Sequence, residues 1–409
     1  MRVLLVVKSK FMESLGPMYL KSVIQHNCHH ECLITDLPNA IRTAEIFKPE
    51  IIGYSIMTGD MEKFRDLNMK IPTMPVSIVG GPDPTFFPEG YDWADMTIKG
   101  EAEQQIADLL QTGQVYGDLD SLPWPARDDY PGMKVRDFIA SRGCTYGKCG
   151  YCYNSTWERL YPDLPKLRVR SARDVVNEVA STNPEFVYFQ DSTFGLSHEW
   201  LREFARLYAV YVKAPYHVHL RPNQVTDERA SLLAGSGCVS MKMALETASD
   251  RLRKLINRGN STNEHALAAS DVLRKHGVAC ILQNILGLPS ATIEDDLYTL
   301  EINIRCRPAY AWSSIFQPYP MTELAQICER EGWYTGDYSE ISDNFFDNSV
   351  LDFTDEHKEQ IVCLQRVFAF CVETQTMPEV KDLTYATLPK FIHNTMRKIG
   401  DRRMFANAL

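Results

Sequence analysis

Residues 144–152 read Cys-Thr-Tyr-Gly-Lys-Cys-Gly-Tyr-Cys, and the chain after them alternates strand-like and helix-like stretches. Three thiols within nine residues are a metal-binding arrangement. Eleven cysteines at irregular spacing, an odd count, do not make a disulfide scaffold, and the chain opens on a run with six apolar residues before Lys8, too short for a signal segment. The expected compartment is therefore the cytoplasm, with thiols reduced. Three thiolates leave one metal position open to something that is not protein. That suits an iron–sulfur cluster that binds and cleaves a cofactor rather than merely passing electrons. Two alternatives stand beside it: a zinc ion with a fourth ligand from elsewhere, and three unliganded buried cysteines.

The rest of the composition narrows the field. A formal net charge of −10 argues against nucleic acid as the main partner. No apolar run approaches the ~20 residues of a membrane span. At 409 residues the chain accommodates two or three domains with sizeable cores.

Residues 2–7 (RVLLVV) are apolar without alternation, as in a parallel strand buried on both faces. Further strands are expected at 32–35, 51–56, 76–79 and 95–98, with helices at about 14–27 and 101–112. This is an open doubly wound sheet, whose ligands lie beyond the carboxyl ends of its strands. Ser55, Thr58 and Gly59 follow one strand; Gly80, Gly81 and Thr85 follow another. Small and hydroxyl residues there let a flat macrocycle approach the backbone, although tight turns demand glycine as well. Residues 114–137, rich in Asp, Pro and Gly, read as a linker. From 138 the expected strands are 138–142, 186–191, 216–221, 239–246, 279–286 and 310–317, with helices between them. Six strand–helix units describe a partial (β/α)6 barrel with its catalytic groups at the strands' carboxyl ends. The expected divisions are 1–113 (Rossmann-like domain), 114–137 (linker), 138–320 (barrel) and 321–409 (helical region).

SRGCTYGKCGYCYN at 141–154 resembles the cluster loop of the radical S-adenosylmethionine (SAM) enzymes, and more narrowly of the subgroup with an N-terminal cobalamin-binding domain. The resemblance extends over most of 1–325. It runs through SIMTGD (55–60), VGGPDPTFFPE (79–89), IKGEAE (98–103), LDSLPWPARD (119–128), FQDSTF (189–194), LRPNQVT (220–226), LETASDRLRKLINRGNS (245–261), NILGLP (284–289) and FQPYPMTEL (316–324). It implies a [4Fe–4S] cluster on Cys144, Cys149 and Cys152, with SAM chelating the open iron and being split reductively. It also implies that Tyr151 lies against the adenine, that Asp191 takes the ammonium of SAM, that Arg258 clamps its carboxylate and that Glu246 touches its ribose or amine. Surface ion pairing is the plainer reading of these charged residues. Two departures stand out. Four residues, not the family's three, separate Cys144 from Cys149, and Asp83 stands in GGPDPT where relatives carry His. The N-terminal domain has no Asp-x-His-x-x-Gly motif to supply a lower ligand to cobalamin.

On the strand at 216–221, His217, His219 and Arg221 share one face, so an inward orientation makes them acid–base or binding groups and an outward one makes them helix-packing residues. The same alternation puts Lys242 on the Glu246 face of the next strand, there to pair with that carboxylate or to meet an anionic substrate. His26–Cys32, with three His and two Cys, crowds a tetrahedral site and reads as a structural loop. The expectation is a cobalamin-dependent radical SAM enzyme that methylates an unactivated carbon or phosphorus of a small molecule. It would draw electrons from a donor such as flavodoxin or ferredoxin. The rivals are a non-methylating rearrangement, cyclisation or oxidation; a cluster-only enzyme; and a non-catalytic iron–sulfur or zinc regulator.

Overall fold

Five consecutive buried apolar residues, Val3–Val7, require a strand covered on both sides, and β1 (Arg2–Val7) is that strand. In this computed structural model, which describes residues 1–26, 30–72, 74–162, 165–195, 197–341 and 344–406, β1 sits inside a parallel sheet of order β2-β1-β3-β4-β5. Its other members are β2 (Glu31–Asp36), β3 (Ile51–Ser55), β4 (Val76–Gly80) and β5 (Met96–Thr97). Val3, Leu5 and Val7 pack into one apolar cluster with the helix Leu15–Gln25 and the helix Glu103–Leu109. Leu4 and Val6 pack into another, with residues of the helices Ala40–Phe47 and Met61–Asn68. The chain leaves β1 first to one side and then to the other, so β1 and β3 flank the switch point where such sheets hold ligands.

The second sheet is six parallel strands in the order β13-β12-β11-β10-β9-β6. They are β6 (Val135–Phe138), β9 (Phe186–Phe189), β10 (Tyr216–Leu220), β11 (Cys238–Glu246), β12 (Ala279–Leu286) and β13 (Tyr310–Ile315). In β12 and β13 alternate residues are buried. Leu286, Ala311 and Ile315 join the core formed with the helices Ile293–Cys306 and Asp355–Thr374. The intervening positions are half-buried and form the opposite face.

The strand expected at 138–142 is two elements. β6 ends at Phe138, and β7 (Ser141–Gly143) leaves the sheet to pair antiparallel with β8 (Leu167–Val169). Gly143 has φ +100, and a Cβ there would lie 2.1 Å from the Lys166 carbonyl oxygen, so only glycine fits. Arg142 and Arg168 face each other across this ribbon. Their repulsion is relieved by Glu101, 3.0 Å from Arg142 and 2.9 Å from Arg168, and by Glu103 on Arg142.

The chain separates into two compact units: Met1–Gly143 with Asp163–Asp191 and Arg206–Pro215, and Cys144–Pro162 with Ser192–Ala205 and Tyr216–Leu409. Within the first unit the stretch at 114–137 is fastened by buried charge. Lys21, fully buried, sits 2.6 Å from both Asp128 and Asp129. Glu13 accepts from Arg127, from Arg136 at 2.5 Å and from the Asp137 N–H at 2.8 Å. Arg127 and Arg170 then share Glu178, at 2.9 and 2.6 Å. Among the described residues no helix is long and apolar enough to cross a membrane.

Removing one partner of such a network strands the others in low dielectric. Glu13→Ala, which leaves Arg127 and Arg136 facing a vacated carboxylate position, is expected to destabilise the chain by roughly 3–5 kcal/mol. Urea unfolding of the wild type and the variant measures the difference.

Candidate functional site

The segment after Gly143 is a loop that runs into the helix Tyr153–Leu160, with Cys152 at its N-terminal boundary. Its backbone is held from two sides: the Gly150 N–H donates to the Ile256 carbonyl (3.1 Å), and the Gly150 carbonyl accepts from the Leu324 N–H (2.8 Å). Ser155 Oγ closes the turn onto the carbonyls of Cys149 and Cys152, at 2.9 and 2.8 Å. Each of the three sulfurs faces a polar partner. Cys144 Sγ is 3.8 Å from Thr193 Oγ1, Cys149 Sγ is 3.8 Å from Arg258 Nη1, and Cys152 Sγ is 3.7 Å from Asn154 Nδ2. The Arg258 and Asn154 donors suit thiolate sulfur that carries charge from a metal cluster. Burial pushes the Cys152 thiol up to about 12 and raises that of Cys149, so the metal-free thiols hold their protons and release them when metal binds. Among the described residues no three His, Cys, Asp or Glu side chains converge as a single metal ion requires. A cubane, taking one thiolate at each corner iron, spreads its ligands more widely.

Arg258, 5% exposed, gathers the neighbouring groups. Besides Cys149, its Nη1 lies 3.4 Å from Tyr151 Oη and 3.9 Å from Glu246 Oε1, while Nη2 donates to the Ala244 carbonyl at 2.5 Å. Tyr151 Oη donates to Glu246 Oε1 at 2.6 Å. Burial raises the Glu246 carboxyl, and the Arg258 charge and the Tyr151 bond oppose that rise. For Arg258 burial works against the charge, but Tyr151, Glu246 and Cys149 outweigh it and hold its pKa above the ordinary value. Glu246 closes β11 in a left-handed conformation, φ +66, where the β11–β12 register shifts.

Before that shift Lys242 lies with its Nζ 5.9 Å from the centre of the Trp312 ring, and past it Glu246 is engaged by Tyr151 and Arg258. His217 and His219 are level with Ser240 and Lys242 in the register of β10 and β11. His217 Nδ1 is 2.7 Å from Ser240 Oγ, and the two imidazoles are 5.3 Å apart, edge to face. A cavity of about 250 Å³ opens on the half-buried face of β12 and β13, lined by Tyr151, Gln283, Ile285, Trp312, Ser314 and Gln317 among others. Trp312 thus borders both the cavity and Lys242, whose register partner on β10 is His219. Arg221, just past β10, instead bonds Asn260 and lies over the Tyr146 ring.

Other expected residues are already occupied. Asp191 is 1% exposed, and its carboxylate accepts from the Ala140 N–H (2.9 Å) and from Ser141 Oγ. It therefore braces the approach to β7 rather than presenting free oxygens, and burial pushes it up to about 6. Thr85 donates to the Gly81 carbonyl (2.7 Å) and accepts from the Gly100 N–H (3.0 Å), so its hydroxyl serves a turn. Gly81, φ +104, leaves no room for a Cβ, which would sit 2.8 Å from the Ile56 oxygen. Gly59 is also left-handed, at φ +86, and Ser55 pairs with Gly80 across β3 and β4. Asp83 is buried and accepts from Tyr91 Oη, with Thr58 also bonded to it. Sequence reasoning missed the groups beyond β1. Lys8 pairs with the buried Asp60 at 3.0 Å, joining the loops that follow β1 and β3, and Phe11, Met12 and Met57 are exposed there. It also missed Thr193 and Asn154. In the His26–Cys32 segment, Asn27, Cys28 and His29 lie outside the described residues, and Cys32 is buried in the core.

The geometry can be set beside known proteins. Residues 138–301 match the model of the radical SAM superfamily. The stretch that carries the three cysteines is thus a radical SAM segment. It is 23% identical over 361 residues to an uncharacterised methyltransferase of Pyrococcus horikoshii, covering 76% of this chain and 77% of the relative. Its fold is similar to that of the radical S-adenosylmethionine methyltransferase TsrM from Kitasatospora setae, a structure with tryptophan substrate and a SAM analogue bound. The TM-score is 0.65 at 16% identity, over 81% of this chain and 76% of that one. It is also similar to the cobalamin-dependent SAM radical enzyme OxsB with aqua-cobalamin bound, with a TM-score of 0.62 at 15% identity, over 83% of this chain and 56% of that one. At these identities the likeness is one of fold. Radical SAM enzymes take a [4Fe–4S] cluster and SAM and require a reductant.

Burial, with the His219 and Lys242 charges adding to it, pushes His217 down to about 3. In the unfolded chain a histidine titrates near 6.5, so between these values the unfolded state binds the extra proton. Stability from this group is full above pH ~6.5 and is lost as the pH falls towards 3, by at most about 1.4 kcal/mol per pH unit. Urea midpoints of the metal-free protein are expected to drop between pH 7.5 and 5, and His217→Gln is expected to flatten that slope.

Proposed function

We propose that this radical SAM enzyme is a cobalamin-dependent methyltransferase acting on an unactivated carbon, or on phosphorus, of a small molecule. The reading rests above all on the loop of three cysteines, each sulfur facing a polar partner, in a chain that also has a flavodoxin-like sheet with an open switch point. The names of the relatives support it: two of them are called methyltransferases, and OxsB is called cobalamin-dependent.

In this scheme Cys144, Cys149 and Cys152 would hold the cluster, which would supply the electron for cleavage of SAM. Arg258 presents its guanidinium beside Cys149, where the carboxylate of SAM would complete its bonding. Glu246, steadied by Tyr151, accepts hydrogen bonds from the ribose or the amine. Tyr151 offers a ring wall to the adenine at the mouth of the cavity. His217, His219 and Lys242 flank the substrate on the far side of Trp312, where neutral imidazole can accept a hydrogen bond and Lys242 can meet a negative charge. Around the switch point, Ser55, Thr58, Gly59, Gly80 and Gly81 let a corrin ring approach the backbone, and the exposed Phe11, Met12 and Met57 offer it apolar contact. The domain divisions at 113, 137 and 320 belong to this proposal, as do a cytoplasmic setting and an electron donor such as flavodoxin or ferredoxin.

The test is anaerobic reconstitution with iron, sulfide and hydroxocobalamin, followed by SAM labelled in its methyl group and a reductant. Retained corrin absorbance, 5′-deoxyadenosine and label in a product are the expected results. A loaded cluster with no retained corrin sinks the cobalamin reading, and 5′-deoxyadenosine without methyl transfer favours the rearrangement class. Cys149→Ala is expected to reduce 5′-deoxyadenosine formation to background. Glu246→Gln is expected to raise the KM for SAM about tenfold, close to the ~1.4 kcal/mol of a charge-assisted hydrogen bond.

A further inference from the structure

Four residues separate Cys144 from Cys149, one more than the pattern this loop otherwise follows, and the added length carries its own set of contacts. Gly147 turns the loop in a left-handed conformation, φ +55. Tyr146 Oη donates to the Asn257 carbonyl at 2.6 Å, which ties the loop to the turn that also presents Arg258. The Tyr146 ring lies beneath a guanidinium, with Arg221 Cζ 4.0 Å from its centre. Arg221 Nη2 donates to Asn260 Oδ1, and Gln224, three residues on, donates to Thr145 Oγ1 at 3.3 Å. The loop is thus stitched to the end of β10 and to residues 257–260.

Arg221 is 7% exposed, and its buried Nε has no hydrogen-bond partner among the described residues. Its contacts, a ring face and an amide oxygen, are neutral, so they orient the cation without cancelling it. Burial and the nearby Arg258 charge both work against this cation, and Cys149, Cys144 and Tyr146 work for it. A buried guanidinium stacked on a ring of the cysteine loop needs negative charge nearby, and three thiolates around an iron–sulfur cluster would supply it.

We propose that the enlarged loop serves to fix Arg221, through Tyr146, as a positive charge beside the cluster that raises its reduction potential. Tyr146 is a positioning residue, and Arg221 is the charge. The inference rests on the radical SAM reading. The step affected is a one-electron transfer: an external donor loses one electron and the cluster gains it. Arg221 forms and breaks no covalent bond. A nearby cation stabilises the reduced, more negative cluster relative to the oxidised one, so the transfer becomes more favourable.

The experiment is a redox titration of the reconstituted full-length protein, without substrate, followed by the electron paramagnetic resonance signal of the reduced cluster. Arg221→Met is expected to make reduction about tenfold less favourable, about 59 mV lower for one electron. Tyr146→Leu is expected to shift it in the same direction by less, while Arg221→Lys and Tyr146→Phe stay near the wild type. Wild-type potentials in both Arg221→Met and Tyr146→Leu overturn the proposal. So does a shift in Arg221→Met that Arg221→Lys reproduces, since packing rather than charge would then be responsible. If Arg221→Met fails to load, the ordering of Tyr146→Leu, Tyr146→Phe and wild type decides alone. Failure of the wild type to take up any cluster strikes the radical SAM reading and leaves the role of Arg221 behind with it.

Discussion

The cysteine loop, the end of β11 and the 257–261 turn hold together through one buried cation. Arg258 could not be sequestered from water unless acceptors surrounded it, and those it finds are the Ala244 carbonyl, Tyr151, Glu246 and the Cys149 sulfur. The dependence is mutual. Glu246 is buried with its pKa already raised, and it would become a costly isolated carboxylate without the guanidinium. One charge therefore places an anion-binding fork, a carboxylate and a ring within reach of the same sulfur. The structure answers that charge in part before any cofactor arrives and leaves the buried Nε without a partner among the described residues, so the fork is held in place with bonding capacity to spare.

The arrangement is reached by distorting β11. A regular strand would send the residue at 246 along the same row as Lys242. The register shift and the positive φ at Glu246 turn the carboxylate towards Tyr151 instead. A non-glycine residue in that conformation is strained, and its neighbours must hold it there. The bonds to Tyr151 and Arg258 do so, and local backbone strain is exchanged for position at the site.

Much of the architecture was legible because both sheets obey simple periodicities. The uninterrupted run in β1 and the alternation in β12 and β13 reveal which faces are covered. The reading failed where a long-range partner, rather than a local pattern, decides. β7 and β8 are three residues each and carry facing arginines, so their pairing depends on Glu101 and Glu103, far away in the chain. The bulge at the end of β11 leaves no mark in a single sequence, so the engagement of Glu246 by Tyr151 and Arg258 is not legible from alternation. Asp191 and Thr85 have the right chemistry for a site, but backbone groups already use their oxygens. Thr193 and Asn154 could not be singled out, since nothing in their spacing says that a sulfur lies opposite.

The last strand of the second sheet has a neighbour on one side only, and its free edge is guarded by the chain that follows. Gln365 donates to the Ser313 carbonyl at 3.3 Å, and the Ile315 N–H donates to the Phe345 carbonyl at 2.8 Å, so groups that would otherwise invite another strand are satisfied from within. The C-terminal helices are thus a solubility device as much as a packing layer. A fragment cut after the sixth strand of that sheet would carry an open β-edge and an uncovered apolar face around Leu286 and Ile315, and it would associate with its own copies rather than remain a tractable catalytic core.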